Sequence, residues 1–154
     1  MSVAFRRESD EEHKEPRFEL PIPPGPNLVT ARGLAQIEAR VAGLTAQIAK
    51  GADPDAVEAL KRDLRYWSTR QAMAELAPAA GGHEVAFGTR VTFRLNGTER
   101  TLDIVGDDEA DPVAGSISFL APLARAMSQA RAGDQVAFAG KEDAIEILGI
   151  RPLG

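Results

Sequence analysis

Carboxylates are the side chains in this sequence whose types and spacing could do chemistry. Asp107, Asp108, Glu109 and Asp111 fall within five positions, and Asp53, Asp55 and Glu58 form a looser second group. There are no cysteines, and the two histidines, His13 and His83, stand apart, so thiolate chemistry and a His/Cys zinc site are excluded. Acids this dense can hold a hard cation or present negative charge to a basic partner. The 107–111 run lacks the register of an EF-hand, which leaves calcium little support. Ionised carboxylates are costly to bury unpaired, so this run is expected to be a solvated loop displayed by its flanking segments, either idle or recognised by a partner. Asp53 and Asp55 have ordinary employment to hand. In Asp53-Pro54-Asp55, Asp53 suits a helix N-cap, Pro54 the first helical position and Asp55 the first turn, where a negative charge is favourable.

The elements that must position these acids are legible from periodicity. Leu34, Ile37, Val41, Leu44 and Ile48 recur at spacings of three and four from an N-cap at Thr30, and Lys50-Gly51 makes a suitable end. A second seam, Val57, Leu60, Leu64 and Trp67, continues through Gln71 and Ala74 until Pro78 stops it. Two seams joined by a short turn predict an antiparallel helical hairpin, a coiled coil, over 27–78. Helices of roughly 20 and 24 residues would extend ~30–36 Å, with Asp53 and Asp55 at the tip. Before the hairpin, residues 1–26 carry ten charged side chains and five prolines, which reads as a disordered or extended arm.

After a small-residue linker at 79–83 the period changes to two. Val91 and Phe93 alternate with Arg90, Thr92 and Arg94; Asn96-Gly97 is a hairpin turn; Leu102 and Ile104 follow in alternation. The acidic loop leads to a short strand from Ser116, a helix from Pro122 to about Ala130, and strands over 135–139 and 144–150. The 84–154 segment is thus an α+β domain, a strongly bent antiparallel sheet holding one helix.

With 154 residues, 44% of them hydrophobic, the chain is long enough for a modest core. The net charge of −5 argues against a stand-alone duplex-DNA binder, because phosphate neutralisation needs a concentrated basic face. The acid excess lies mainly in residues 78–154, with seven Lys/Arg against eleven Asp/Glu, so a protein partner is expected. The N-terminus has no apolar signal-peptide core, and no run approaches the ~18 apolar residues of a membrane span. A cytoplasmic protein without membrane contact, monomeric when free, is the expectation.

The ordered series Phe87-Gly88, Ile104-Val105-Gly106-Asp107-Asp108-Glu109-Ala110-Asp111, Ile117-Ser118, Pro122-Leu123-Ala124-Arg125-Ala126 and Gly133-Asp134 resembles the bacterial transcript cleavage factors GreA and GreB. The likeness is strong from Phe87 onward and weak in the hairpin. It implies an FKBP-like C-terminal domain that docks on RNA polymerase at the rim of its secondary channel, with the hairpin reaching toward the active site. Carried over by position, it makes Asp107, Asp108, Glu109, Asp111, Ser116, Ser118 and Pro122 candidate polymerase contacts. Ala121 departs from the pattern, since the family usually has serine before that proline.

In that family, two carboxylates at the hairpin tip help the polymerase position a magnesium ion and a water that hydrolyses backtracked RNA. Hard Mg²⁺ favours carboxylate oxygens and makes bound water a better nucleophile. By position the tip acids here are Asp53 and Asp55. The usual tip signature, Gly-Asp followed by a Glu-Asn-Ala-Glu-Tyr-like run, is absent, and the hairpin is several turns shorter per helix. The resemblance therefore implies a polymerase-binding elongation regulator that is not itself an enzyme. It would hold no metal or cofactor of its own and would meet nucleic acid only inside the polymerase. Stimulated cleavage and non-catalytic competition for the channel both stay open. A prolyl isomerase follows only from fold analogy, which does not carry activity.

Overall fold

A computed structural model describes residues 19–51 and 53–153. Most of the arm expected over 1–26 lies outside the described residues, and 19–26 contain no helix or strand. The chain divides into two compact units. Among the described residues, one comprises 19–24 with 38–51 and 53–72, and the other comprises Gly25–Ile37 and 73–153.

Helix α1 spans Ala31–Lys50 and α2 spans Pro54–Met73, each of 20 residues, or about 30 Å at 1.5 Å per residue. Gly51 closes α1 at φ +80°, a left-handed conformation that glycine adopts without a Cβ penalty. Within the hairpin unit the Arg40 guanidinium lies 5.4 Å from the centroid of the Trp67 ring, a pairing across the turn that fits antiparallel helices. Tyr66 meets Trp67 edge-on at 5.1 Å. The expected seam residues Val41, Leu44, Ile48, Val57, Leu60, Leu64 and Trp67 are all half-buried, as two helices sharing one seam without a third require.

The second helix ends earlier than its sequence suggests. Strand β2, Ala74–Leu76, pairs in parallel with β1, Asn27–Val29, in the register Asn27↔Ala74 to Val29↔Leu76, and Ala77 N–H donates to Val29 O at 3.1 Å. Ala-Glu-Leu favours helix locally, but the hydrophobic seam has lapsed by Gln71. Pairing with β1 then decides its conformation, a tertiary override of propensity. Asn27 and Val29 are buried on β1.

The sheet of the C-terminal domain has the order β5-β4-β3-β7-β6, from β3 Thr89–Leu95, β4 Thr98–Val105, β5 Ser116–Ser118, β6 Gln135–Phe138 and β7 Lys141–Pro152. Helix α3, Pro122–Met127, completes it. Asn96 and Gly97, at φ +49° and +88°, make the tight β3–β4 turn that their residue types call for. Thr89, Val91 and Phe93 of the central strand point into the core beside Leu102, Ile104, Ile145 and Ile147, with Ala124, Met127 and Ala130 from the helical side. The other face is a polar ladder. Arg90 holds Asp103 through two bonds of 2.6 and 3.0 Å, Thr92 meets Thr101 at 3.1 Å, and Arg94 meets Glu146 at 2.7 Å. The hydrogen bonds and charge of Asp103 raise the Arg90 guanidinium above its ordinary value.

A helical hairpin followed by a sheet domain with one helix is therefore what the chain forms, an arrangement compatible with an FKBP-like domain. The sheet is mixed rather than wholly antiparallel, because β5 runs parallel to β4 in the register Asp103↔Ser116 to Val105↔Ser118. The acidic loop, long enough to double back, reverses the chain twice between these strands. No helix among the described residues is long and apolar enough to cross a membrane.

Candidate docking loop and helix tip

The acidic loop is a set of nested turns. Gly106 is buried at the end of β4, and Ala110 N–H donates to its carbonyl at 3.1 Å. Asp111 N–H donates to Ser116 Oγ at 2.9 Å, and Ser116 N–H returns to Asp111 O at 3.0 Å, which pins the base of the loop to the first residue of β5. Between them a single 3₁₀ turn, Pro112–Ala114, is capped by the Asp111 carboxylate and closed by Gly115 at φ +94°. Val113 at its apex is 99% exposed, so the loop is displayed outward from a fixed base.

The four acids have different surroundings. Asp107 and Asp108 are half-buried, Asp108 is engaged within the chain, and Asp111 is exposed apart from its capping bond. Glu109 turns toward the start of α1, where its Oε1 accepts from Thr30 Oγ1 at 2.6 Å. That hydroxyl oxygen also accepts the Gly33 N–H at 2.9 Å, as an N-cap does. The sequence identified Thr30 as a cap but not its link to Glu109. The available signal was Gly33 itself: where a capping box places Glu or Gln three residues after the cap, this helix has glycine and draws its acid from elsewhere in the chain. A cleft of about 580 Å³ opens beside this contact, lined by Arg32, Gln36, Asp103, Glu109, Asp111 and Ser116 among others.

Ser118 Oγ accepts from Leu120 N–H at 3.0 Å, shaping the turn into α3, and Pro122 occupies the first helical position. Ala121 is the N-cap, with extended φ/ψ of −64° and 144° and no side-chain cap hydrogen bond. Its backbone already suits a capping serine. Ala121→Ser is therefore expected to raise stability by about 1 kcal/mol, read as a higher midpoint in urea at unchanged slope.

At the tip, Asp53 Oδ1 accepts the N–H groups of Asp55 and Ala56, both at 3.1 Å, and Asp55 is exposed in the first turn of α2. Both acids belong to the hairpin unit, whereas Asp107 through Pro122 belong to the other. No group of three or more His, Cys, Asp or Glu that could hold a metal ion occurs among the described residues.

Residues 80–152, which carry the loop, the sheet and α3, match the family described as "Transcription elongation factor, GreA/GreB, C-term". Residues 80–152 thus form a domain similar to the C-terminal domain of the GreA/GreB factors. It is 44% identical over 71 residues to transcription elongation factor GreB of Neisseria meningitidis, a match covering 44% of this chain and 43% of that protein. Transcription elongation factor GreA of Vibrio parahaemolyticus is 39% identical over 82 residues, 52% of each chain. GreA of Nitratidesulfovibrio vulgaris is 34% identical over 101 residues, 62% of each. The matched part thus spans about half the length of these curated GreA and GreB relatives. Among solved structures, GreA factor homolog 1 of Thermus thermophilus aligns over 82% of this chain and 99% of its own at 14% identity, with a TM-score of 0.39. A GreA/GreB factor from Nitrosomonas europaea aligns over 82% and 98% at 19% identity, with a TM-score of 0.38. In this GreA/GreB-type domain all seven candidate contacts lie along the one stretch from β4 to the start of α3.

Proposed function

We propose that this chain is an RNA polymerase-binding regulator of transcript elongation, of the GreA/GreB kind. Its C-terminal domain would dock at the rim of the secondary channel through the face that Asp107, Asp108, Asp111, Ser116, Ser118 and Pro122 form around Glu109, and the hairpin would enter the channel. The observation that carries this reading is the acidic loop within the family-matched segment, pinned at its base by the Asp111–Ser116 pair and displayed at its apex. A pre-formed acidic turn loses little conformational freedom on meeting a basic surface, and its charges steer the encounter. In this reading the protein works in the cytoplasm and meets nucleic acid only inside the polymerase.

Any contribution to RNA cleavage would come from Asp53 and Asp55. A magnesium ion at that point would take carboxylate oxygen and supply a more acidic water. Two carboxylates cannot complete a six-oxygen shell, so the polymerase would have to provide the other ligands. Asp53 Oδ1 is already shared by two backbone N–H groups, and this favours a second reading in which the hairpin occupies the channel without cutting.

Backtracked polymerase complexes distinguish the two. If the tip acts, the protein shortens the transcript with release of a 3′ fragment, and Asp53→Ala with Asp55→Ala lowers that rate at least about tenfold, or 1.4 kcal/mol of barrier. If it does not act, no fragment appears and the protein slows cleavage by an added GreA or GreB factor.

A further inference from the structure

We infer that Glu109 is a positioning residue, which acts on docking by fastening the acidic loop to the first turn of α1 and not by presenting its own charge to the partner. The inference rests on the polymerase-docking reading above. Three observations within one compact unit converge on it. Glu109 Oε1 takes the Thr30 hydroxyl at 2.6 Å, and the same hydroxyl oxygen holds the Gly33 N–H at 2.9 Å, so acid, cap and helix start form one chain of hydrogen bonds. Gly33 supplies the space for this, because a Cβ there would lie 2.7 Å from Glu109 Oε1 and 3.4 Å from Thr30 Oγ1. Gly106, at the other end of the loop's first turn, lets the backbone pass close to Leu28 O, just before the same helix.

The chemistry favours fastening over display. An ionised carboxylate accepting from a hydroxyl at the start of a 20-residue helix gains from both the charge-assisted bond and the positive end of the helix dipole. Presenting that carboxylate to a partner would forfeit both. With Glu109 turned to α1, the charges left to face outward are those of its neighbours, held in register by the contact.

Gly33→Ala tests this without removing a charge. Alanine has the higher helix propensity, which offsets part of the lost hydrogen bond and keeps the protein folded at assay temperature, while the methyl group expels the Glu109 carboxylate from its seat. Glu109→Gln does the opposite: it removes the charge but keeps an oxygen that can accept from Thr30. Positioning predicts that Gly33→Ala weakens binding to core RNA polymerase about tenfold, whereas Glu109→Gln stays within about twofold of wild type. Gly33→Ala binding as wild type, or Glu109→Gln losing tenfold, would overturn it. Amide exchange on the free protein gives a reading independent of polymerase. Loop amides, Ala110 among them, should exchange faster in Gly33→Ala and Glu109→Ala and unchanged in Glu109→Gln. Equal exchange in all three would overturn the inference even if docking stands. Wild-type protein that fails to bind polymerase would sink the docking reading while the exchange experiment still decides the fastening.

Discussion

Gly106→Ala is expected to lower stability by about 3 kcal/mol, toward the upper end for overpacking a tight site. Gly106 is buried, and a Cβ there would stand 2.5 Å from Leu28 O and 3.7 Å from Val29 Cα. Both are backbone atoms, so no side-chain rotation relieves the collision, and β1 itself has to move. That displacement would uncover Asn27 and Val29, at 1% and 2% exposure, and carry Thr30 away from Glu109. Urea unfolding checks the stability, and faster exchange of the Ala77 amide, which bonds Val29 O, checks that β1 is what moves. Gly43→Ala is the internal control. It lies in α1 with nothing within 4 Å of its would-be Cβ, so it should stabilise the helix by up to about 1 kcal/mol.

Asp107→Asn combined with Asp108→Asn is expected to weaken binding to core RNA polymerase about tenfold, some 1.4 kcal/mol. Asparagine keeps the shape of each side chain and removes only its charge, so the loss would report electrostatic complementarity at the docking face. Two further signs should accompany it. The association rate should fall more than the dissociation rate rises, and the affinity of the double variant should depend less on salt than that of the wild type. Melting temperatures of the two proteins separate this from any effect of the Asp108 contact within the chain.

What the sequence disclosed, and what it did not, follows from the range of the interactions. Helices α1 and α2 were legible because their apolar residues repeat at helical spacing, and the β3–β4 hairpin because Asn96-Gly97 interrupts a period of two. The caps at Thr30 and Asp53 were legible for the same reason, since each acts on residues two or three places away. Strands β1 and β2 are three residues each, too short to show a period, and they pair across the whole hairpin. Nothing local to Ala74–Leu76 signals a strand. The parallel seating of β5 depends on a loop that doubles back, which composition does not encode. The acidic loop was visible as a displayed cluster, but the inward turn of Glu109 arises from a partner 79 positions away. Gly33 is the clearance that lets the contact form, a role its sequence neighbours do not signal.

The most direct measurement of the central claim is an equilibrium titration of the labelled full chain with bacterial core RNA polymerase, repeated with excess unlabelled GreA or GreB. Saturable, salt-sensitive binding that the competitor displaces is expected, because both would occupy one site at the secondary channel. Absence of saturable binding, or saturable binding that excess competitor leaves untouched, would contradict the claim.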